Sequence, residues 1–518
     1  MQSPDANHLL RTPAFLHSSA AVPLRPRRSH ECSHGAARLA DRDELLAANE
    51  QALQDPHATF LAGASPIVEV PGGRGAVEPL YCAGIALSEE ARNAHVLAVG
   101  TTGTGKTTRV LLPLIANDIQ DESRTVVVTD VKGNLLPFVS ELMARHRPGR
   151  APVVINLHDP ERSVCWNPLQ HRHPRSYRDV VHTLCRSAQL NRGDGDSPFW
   201  ISTSEQLITA IAQTLAGDPR GVPSFARIRE VVSSGPRKFG AWAAAHDHVG
   251  RLQAFVEFVA SGSHNAQTVL ADSLMRLAAF EDERVRSVTS SNGLDLAQFL
   301  VDEPGVLVVE MGEAHVSRLR PIWSVFFAEL FNMLLDSAAS TASGALRRGV
   351  SIHMDEFASA IGWLPDLPIR LNTLRSRRVS ISASVQSLAQ ISNVYGREAD
   401  SVVAGFRNKL FAPECDPVDA AYASRLSGTT TVEAASTSTV ERIVDGEHRV
   451  ETVRTSQTIG RPLLLPSEIT HPPEHFAFGR PFTLFLADRM PFQSWLIPAY
   501  DSPELAPFVR YMRPSDAA

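Results

Sequence analysis

One stretch of the sequence, HVLAVGTTGTGKTTRVLLPLIAN from His95 to Asn117, limits the folds open to this chain more than any other. It begins with an apolar run that ends at Val99. It continues through glycines and threonines around one lysine, and it ends in an apolar pattern with helical spacing. This order of segments predicts a strand, a tight loop and a helix.

Within this stretch, Gly100 to Thr107 fit the pattern G-x-x-x-x-G-K-[ST] of a phosphate-binding loop. Glycines let successive N–H groups point inward around an anion, and the following helix adds the positive end of its dipole. Lys106 is predicted to reach the β- and γ-phosphates of ATP, and the Thr107 hydroxyl to be a ligand of Mg²⁺. The predicted nucleotide-binding residues are Gly100, Thr101, Thr102, Gly103, Thr104, Gly105, Lys106, Thr107 and Thr108.

The bulk composition indicates a globular protein with a small net negative charge. The chain has 518 residues, of which 43% are hydrophobic and 20% charged, and its net charge is −6. A nucleic-acid partner would therefore have to meet a local basic surface. The 5 cysteines have no CxxC spacing, which gives no sign of a zinc site or a disulfide framework and fits a reducing compartment.

The sequence predicts no transmembrane segment. No stretch reaches the about 18 uninterrupted apolar residues that a membrane span needs. The nearest, Pro321 to Ser340, contains Glu329, Asn332 and Asp336 and is typical of a buried amphipathic helix. The first residues also lack the layout of a secretory signal. We therefore expect a cytoplasmic protein.

Apolar runs of β type that end in polar groups recur along the chain, and helical patterns separate several of them. This alternation predicts an α/β fold with a mostly parallel sheet, covered on both faces, with ligands at the carboxyl ends of the strands. The runs are Thr125 to Asp130, Pro152 to Leu157, Gly305 to Met311, Gly349 to Glu356 and Val379 to Gln386.

The alternation stops between Pro174 and about Gln298, where apolar residues recur at helical spacing. We predict a loosely ordered tail with a short helix over 1–60, a nucleotide-binding domain over 61–173 and 299–500, an inserted all-α domain over 174–298, and a C-terminal tail over 501–518. Gly428 to Gln457 are rich in Thr, Ser and Val and predict an exposed hairpin or mobile arm.

Hydrolysis also needs an acid that holds the metal and a group that activates water. Asp355 and Glu356 follow an apolar strand, so Asp355 is the predicted Mg²⁺ ligand and Glu356 the predicted base. The alternative is that the pair merely caps the strand before a helix that begins at Phe357. Asp130 ends a strand that we expect at the periphery of the sheet, and we predict a structural role or an indirect one through Lys132.

Two further groups are candidates for catalysis. Gln386 ends the strand after the acidic pair, where its amide could bond both the attacking water and the γ-phosphate. On spacing alone, a glutamine that merely opens the following helix is an equally good interpretation. Arg375, Arg377 and Arg378 precede that strand. They form either a solvated face or a source of one arginine for the nucleotide of a neighbouring subunit.

At this point the ordered set of motifs resembles the type IV coupling proteins of conjugation and secretion, the TraG/TraD group, which are related to the FtsK and HerA motors. The combination of WNPL, PFW, DEF and QS at these separations is more specific than the phosphate loop alone. Beside the loop segment, the matching pieces are VVVTDVKGNL, SVCWNPL, DSPFWISTSEQLI, HMDEFASAIGWLPDL, ASVQSLAQISNVYG, FRNKLF and IGRPLLLPSEI, in family order from about residue 80 to 490.

The resemblance implies a RecA-like motor with an inserted all-α domain, a hexameric ring with ATP between subunits, and a central channel for DNA or a relaxase–DNA cargo. It implies that Lys106 and Thr107 hold phosphate and metal, that Asp355 and Glu356 are metal ligand and base, and that Gln386 is the sensor. Arg375 stands at the separation of the family's trans-acting arginine and is preferred over Arg377 and Arg378.

Two departures accompany the resemblance. Family members usually begin with transmembrane helices, which we do not predict in this sequence, and they commonly have Pro and an acid where this chain has Val131 and Asn134. We expect an ATP-driven translocase for single- or double-stranded DNA that serves a secretion channel, docked through membrane subunits at the inner membrane. The alternatives are a cytosolic HerA-type pump and a nucleotide-gated adaptor that recognises cargo.

Overall fold

A computed structural model describes residues 33–61, 63–67, 80–82, 84–170, 176–190, 198–218, 222–302, 304–444, 447–474 and 479–512. The strands are β1 (Thr59–Leu61), β2 (Gly63–Ile67), β3 (Leu80–Cys82), β4 (Ile85–Leu87), β5 (Val96–Val99), β6 (Thr125–Asp130), β7 (Val153–Asn156), β8 (Val306–Glu310), β9 (Val350–Met354), β10 (Val379–Val385), β11 (Asn408–Phe411), β12 (Thr429–Val444), β13 (Glu447–Pro462), β14 (Phe482–Phe485) and β15 (Phe492–Leu496).

Helices occupy most of the described chain between these strands. The α-helices are α1 (Arg42–Leu53), α2 (Glu89–Asn93), α3 (Leu112–Gln120), α4 (Leu135–His146), α5 (Tyr177–Leu190), α6 (Pro198–Gly217), α7 (Phe225–Ser233), α8 (Pro236–His246), α9 (Gln253–Ala260), α10 (His264–Arg276), α11 (Glu283–Thr289), α12 (Val316–Ala339), α13 (Phe357–Ala360), α14 (Leu367–Ser376), α15 (Leu388–Tyr395), α16 (Ala399–Gly405), α17 (Pro417–Ser427) and α18 (Pro466–Thr470). A π-helical turn, Thr107–Leu111, precedes α3.

The chain divides into two compact units, and the division does not follow the predicted domain boundaries. The first unit contains Met1–Arg92, Ala98–Pro113 and Arg407–Glu504, and the second contains Asn93–Leu97, Leu114–Phe406 and Leu505–Ala518. Residues 174–298 therefore group with the parallel strands. The extents of the four predicted domains stay a prediction.

The second unit is built on parallel strands in the order β10-β9-β6-β8-β7. Every residue of β6, β8, β9 and β10 is buried, which agrees with the apolar runs in the sequence and with a sheet covered on both faces. Strand β6 lies between β9 and β8, so the expectation that the strand of Asp130 is peripheral was wrong. The order of strands along the chain does not fix their order in the sheet.

Between β7 and β8 the described residues contain helices and no strand. Helix α12 follows β8 and buries the aromatic cluster of Trp323, Phe326, Phe327 and Phe331. Among the described helices, α12 alone has the length and apolar composition of a membrane span, and 67% of its most apolar window is buried inside the structure. A buried core helix can have the same length and apolar composition.

In the first unit, β11, β14, β15, β2 and β3 pair in that order, each antiparallel to the next. Strands β12 and β13 form a separate two-stranded ribbon with 16 residues in each strand. The base of this ribbon bonds to the segment before α1, because Ala37 N–H donates to the Thr429 carbonyl and Thr431 N–H to the Gly35 carbonyl. An exposed hairpin or mobile arm was predicted over Gly428 to Gln457, and the structure has paired antiparallel strands that extend to Pro462.

Candidate active site

The loop after β5 has the backbone that an anion-binding loop requires. Gly103 and Gly105 have φ of 87° and 85°, a region that favours glycine. At Gly100 the reason for glycine is different, because a Cβ there would lie 2.5 Å from the Cβ of Ala412. The loop therefore holds its shape through glycines at both ends, as the sequence pattern indicated.

Lys106 folds back onto this loop. Its Nζ donates to the carbonyls of Gly100 at 2.5 Å and Thr101 at 3.0 Å, and the side chain is buried. Thr104 Oγ1 also donates to the Thr101 carbonyl, at 2.8 Å. An ammonium tied to the loop's own carbonyls stands within reach of any phosphate that the loop amides accept, so these residues fit a nucleotide polyphosphate.

In the second unit, Asp355 and Glu356 follow the end of β9 and are both buried. Glu356 has φ 52° and ψ 42°, a left-handed conformation that a side chain with a Cβ seldom adopts. Strained backbone of this kind is concentrated at functional sites, where surrounding bonds enforce it. The conformation sets the two acids apart from an ordinary strand end.

One hydroxyl holds both acids. Ser384 Oγ donates to Asp355 Oδ1 at 2.6 Å and accepts the N–H of Glu356 at 3.1 Å. Thr129 Oγ1, on β6, donates to the main-chain carbonyl of Asp355 at 3.3 Å. The sequence analysis did not identify Ser384 or Thr129. A signal for Ser384 was present, since serine recurs at every second position of the otherwise apolar β10.

The structure brings Gln386 to Glu356. Gln386 Nε2 lies 3.3 and 3.2 Å from the carboxylate oxygens of Glu356 and donates to them. The N–H of Gln386 donates in turn to Gln390 Oε1 at 3.0 Å, which fixes the end of β10. The predicted base and the predicted sensor therefore form one hydrogen-bonded group.

The arginines lie at the other end of the strand. Arg375 is in the last turn of α14, before β10 begins, whereas the acids follow the carboxyl end of β9. Arg377 and Arg378 donate to the carbonyls of Gly344 and Arg347, in the segment that precedes β9. Parallel strands rise about 3.3 Å per residue, so the length of β10 separates Arg375 from the acids of its own subunit.

Asp130 has a structural part. Its carboxylate accepts the N–H groups of Gly133 at 2.8 Å, Asn134 at 3.2 Å, and Leu135 and Leu136 at 2.9 Å each. Burial raises the pKa of this carboxyl, and these N–H groups oppose the rise. Asp130 thus caps α4, which is a structural role, one of the two alternatives that the sequence predicted. Together with Lys132 it lines a separate cavity of about 230 Å³ at the ends of β6, β7 and β8.

Within the part of the chain that the structure describes, no group of three or more His, Cys, Asp or Glu side chains could hold a metal ion by itself. Mg²⁺ in phosphoryl-transfer sites takes one or two protein ligands and fills its other positions with water and phosphate oxygens. The two predicted ligands, the Thr107 hydroxyl and the Asp355 carboxylate, are each of a chemical type that Mg²⁺ accepts in such sites.

A glycine loop between a strand and a helix, with paired acids after a parallel strand, defines an α/β P-loop nucleotide-binding protein. The chain belongs to the family of type IV secretory system conjugative DNA transfer proteins, whose family model matches residues 65–476. The resemblance to the coupling proteins is thereby confirmed. No curated protein matches the sequence.

Solved structures show the same fold. The plasmid coupling protein TrwB in complex with the non-hydrolysable ATP analogue ADPNP is 19% identical, with a TM-score of 0.64 over 92% of this chain and 97% of TrwB. TrwB in complex with ADP and Mg²⁺ is 20% identical, with a TM-score of 0.60 over 86% of this chain and 97% of TrwB. These likenesses confirm the predicted fold class, a P-loop α/β fold with a RecA-like core.

Proposed function

We propose that this protein is an ATP-hydrolysing motor that moves DNA, free or joined to a relaxase, into a conjugative secretion channel. One observation carries the hydrolytic part of the proposal. Glu356 is buried, held in a strained conformation by Ser384, and bonded to the amide of Gln386. A protein that uses nucleotide only to fix its shape has no need of a carboxylate prepared in this way.

The loop residues would bind the nucleotide. The N–H groups from Gly100 to Thr108 would surround the phosphates, and Lys106 would exchange its bonds to the loop carbonyls for bonds to the β- and γ-phosphates. Thr107 and Asp355 would hold Mg²⁺, which when bound neutralises charge on the phosphate oxygens. TrwB, which shares the fold, is described in complexes with ADP and Mg²⁺ and with an ATP analogue.

Glu356 would act on the attacking water. Its carboxylate accepts the proton that the water loses as its oxygen bonds to the γ-phosphorus, and the bond to the ADP oxygen breaks. Gln386 already donates to that carboxylate through Nε2. Its carbonyl oxygen can accept from the same water, which would orient a lone pair toward phosphorus.

Arg375 would serve a neighbouring copy. Because the length of β10 separates it from the acids of its own subunit, it is suited to a nucleotide held by the next subunit of a ring. A positive charge supplied in this way stabilises the transition state of phosphoryl transfer. We propose a hexameric ring on this ground and on the family membership.

The action of Arg375 on the nucleotide of a neighbouring subunit can be tested by mixing two inactive variants. Arg375→Ala lacks the arginine but keeps the base, and Glu356→Gln lacks the base but keeps the arginine. Mixed rings should regain part of the wild-type rate at interfaces where an intact Arg375 meets an intact Glu356. In the matched control mixture, the Arg377→Ala variant takes the place of the Arg375→Ala variant. The Arg377→Ala variant should be active before mixing. Failure of the mixture to regain activity would refute action in trans.

The motor itself is tested by phosphate release with single-stranded DNA, duplex DNA and no DNA, using Lys106→Ala as the background control. We expect stimulation by DNA that falls steeply between about 50 and 200 mM salt, because binding to the phosphate backbone releases counterions. A rate that DNA leaves unchanged at low salt would favour the adaptor over the motor. A clear preference for duplex would favour a HerA-type pump.

We also propose that the protein works on the cytoplasmic side, attached peripherally to the inner membrane through subunits of the channel. Cys165, Cys185 and Cys415 are free thiols, which suits a reducing compartment. Membrane fractionation with and without the genes of the secretion channel tests this. The protein should move from the soluble to the membrane fraction only when those genes are present.

A further inference from the structure

A buried polar pair joins the strand of the acids to the helix that follows the phosphate loop in sequence. His353 Nε2 lies 2.8 Å from Asp118 Oδ2, and both side chains are almost wholly buried, at 2% and 0% exposed. His353 is on β9, two residues before Asp355, and Asp118 is in the last turn of α3.

A second bond ties the same segment to the same strand. Arg124 Nη1 donates to Ser351 Oγ at 3.3 Å, and Arg124 Nε lies 4.0 Å from Asp118 Oδ1. Ser351 and His353 are alternate residues of β9, so the four side chains close a ring between β9 and residues 118–124. Glycine at 349 is part of this fit, because a Cβ there would overlap the guanidinium of Arg124.

The backbone of residues 118–124 is held as firmly as its side chains. Arg147, at the end of α4, donates to the carbonyl of Ile119 at 2.8 Å, and through Nη2 to those of Asp118 at 3.1 Å, Asp121 at 2.7 Å and Arg124 at 3.0 Å. With the segment fixed on its outer side, the bond between His353 and Asp118 sets where α3 lies along β9.

A polar pair in this position is not explained by stability. Apolar side chains of similar size would fill the space without the desolvation of a carboxylate, and such replacements of buried pairs are often neutral or stabilising. Buried polar pairs do fix register between packed elements, because a shifted arrangement leaves both partners unsatisfied. Among the described residues, the Nδ1 of His353 has no hydrogen-bond partner, so Nε2 is the atom that makes the connection.

We infer that His353, through Asp118, is a positioning residue that fixes the register of α3 on β9 for magnesium-dependent ATP hydrolysis. This inference rests on the proposed function, in which Thr107 and Asp355 bind the same ion. Thr107 begins the helical turn that continues into α3, and Asp355 follows β9. A slip of α3 along β9 would move the Asp118 end of the helix relative to the strand that leads into Asp355.

Two kinds of variant separate positioning from packing. In His353→Gln the amide nitrogen can still donate to Asp118, so register is kept. In the double variant His353→Phe with Asp118→Leu, an apolar pair replaces the polar one, and Arg124 keeps Asp121 at 3.7 Å and Ser351 as partners, so the protein should fold. The single variants His353→Phe and Asp118→Leu complete the set.

The measurements are thermal unfolding, equilibrium binding of a fluorescent ATP analogue without Mg²⁺, and the rate of ATP hydrolysis as Mg²⁺ is titrated. For the double variant we expect near wild-type unfolding and metal-free binding, a kcat lower by about 10- to 100-fold, and a raised half-saturating Mg²⁺ concentration. His353→Gln should resemble the wild type. A double variant with wild-type kcat and Mg²⁺ dependence would show that the pair only fills space, and would overturn the inference.

The proposed function can fail separately from this inference. If the wild type releases no phosphate under any condition, hydrolysis is refuted. The role of the pair His353 and Asp118 is then tested by measuring nucleotide affinity as Mg²⁺ is titrated. The wild type and His353→Gln should gain affinity at the same Mg²⁺ concentration, and the double variant at a higher one. Identical curves for all would overturn the inference.

Discussion

The phosphate loop and the acid pair reach their shapes by different routes. The loop from Gly100 to Thr108 is shaped by its own glycines, and its lysine bonds to carbonyls within six residues of itself. The acids are held by hydrogen bonds from other strands. Ser384 on β10 and Thr129 on β6 bond to Asp355, and Gln386, at the end of β10, bonds to Glu356. The shape of the loop is thus local, whereas the arrangement of the acids depends on the register of a sheet.

The largest expected effect concerns the loop. Lys106→Ala should lower turnover by about 100- to 1000-fold, the range for loss of one fixed electrostatic contact to a transition state. Lys132→Ala is the matched control, since Lys132 is exposed and lies in the other unit. Steady-state phosphate release measures both. Equal losses in the two variants would contradict a local role for Lys106.

Gly100→Ala tests how far the loop is independent of its surroundings. The new Cβ would meet the Cβ of Ala412, and overpacking of this kind costs about 1–3 kcal/mol, so nucleotide affinity should fall by about 5- to 150-fold. The second change Ala412→Gly removes the nearer of two obstructing atoms, the other being Thr104 Oγ1 at 2.9 Å, and should restore part of the affinity. Equilibrium titration with a fluorescent nucleotide measures the effect. No recovery in the double variant would show that the loop needs this glycine for another reason.

Ser384→Ala tests the dependence of the acids on β10. The change removes the donor to Asp355 and the acceptor of the Glu356 N–H, so kcat should fall by about tenfold. Unfilled buried partners should also lower the free energy of unfolding by about 1–3 kcal/mol. Ser382→Ala, on the same face of β10 and also buried, is the control. If the two variants lose equal activity, Ser384 has no special part in holding the acids.

The smallest expected effect is a loss of folded stability at low pH that is caused by His95. His95 Nδ1 accepts the N–H of Ile381 on β10 at 3.0 Å, and its Nε2 donates to the Leu371 carbonyl at 2.7 Å. Burial lowers the pKa of His95 to about 4; the bond to Leu371 opposes this, and nearby Arg375 adds to it. Because the unfolded chain has a pKa of about 6.5, it binds protons first as pH falls, and folded stability is lost from about pH 6.5 down to about pH 4.

Between pH 7 and pH 5 this loss should reach about 2 kcal/mol, measured by urea unfolding. His95→Asn removes the titrating group, so its stability should change less over the same interval. His264→Asn, at an exposed position, should keep the wild-type dependence. A His95→Asn variant with the full wild-type loss would mean that other groups carry the pH dependence.

The sequence predicted what depends on short segments. It placed the glycine loop, the strand ends with Asp355, Glu356 and Gln386, and the helical character of the chain between β7 and β8. It misplaced β6, because the chain order of strands does not determine which strand lies in the middle of a sheet.

The bonds that Ser384, Thr129 and the pair His353 and Asp118 make were beyond sequence reasoning. Each joins residues far apart in the chain, and each depends on how strands pair or on how a helix packs against a strand. A trace of them was nevertheless present in the sequence. Polar residues stand at alternate positions of β9 and β10, as Ser351, His353, Ser380, Ser382 and Ser384, although every position of both strands is buried. Buried polar residues need partners, so this pattern pointed to a network.

In the proposed mechanism, Glu356 activates the water that cleaves ATP. The decisive experiment is single-turnover cleavage of bound ATP by the wild type and by Glu356→Gln, with bound nucleotide quantified in the same samples. We expect equal binding and a cleavage rate lower by about 100- to 10,000-fold in the variant, the range for loss of a general base. Cleavage at the wild-type rate by a variant that binds ATP normally would contradict it.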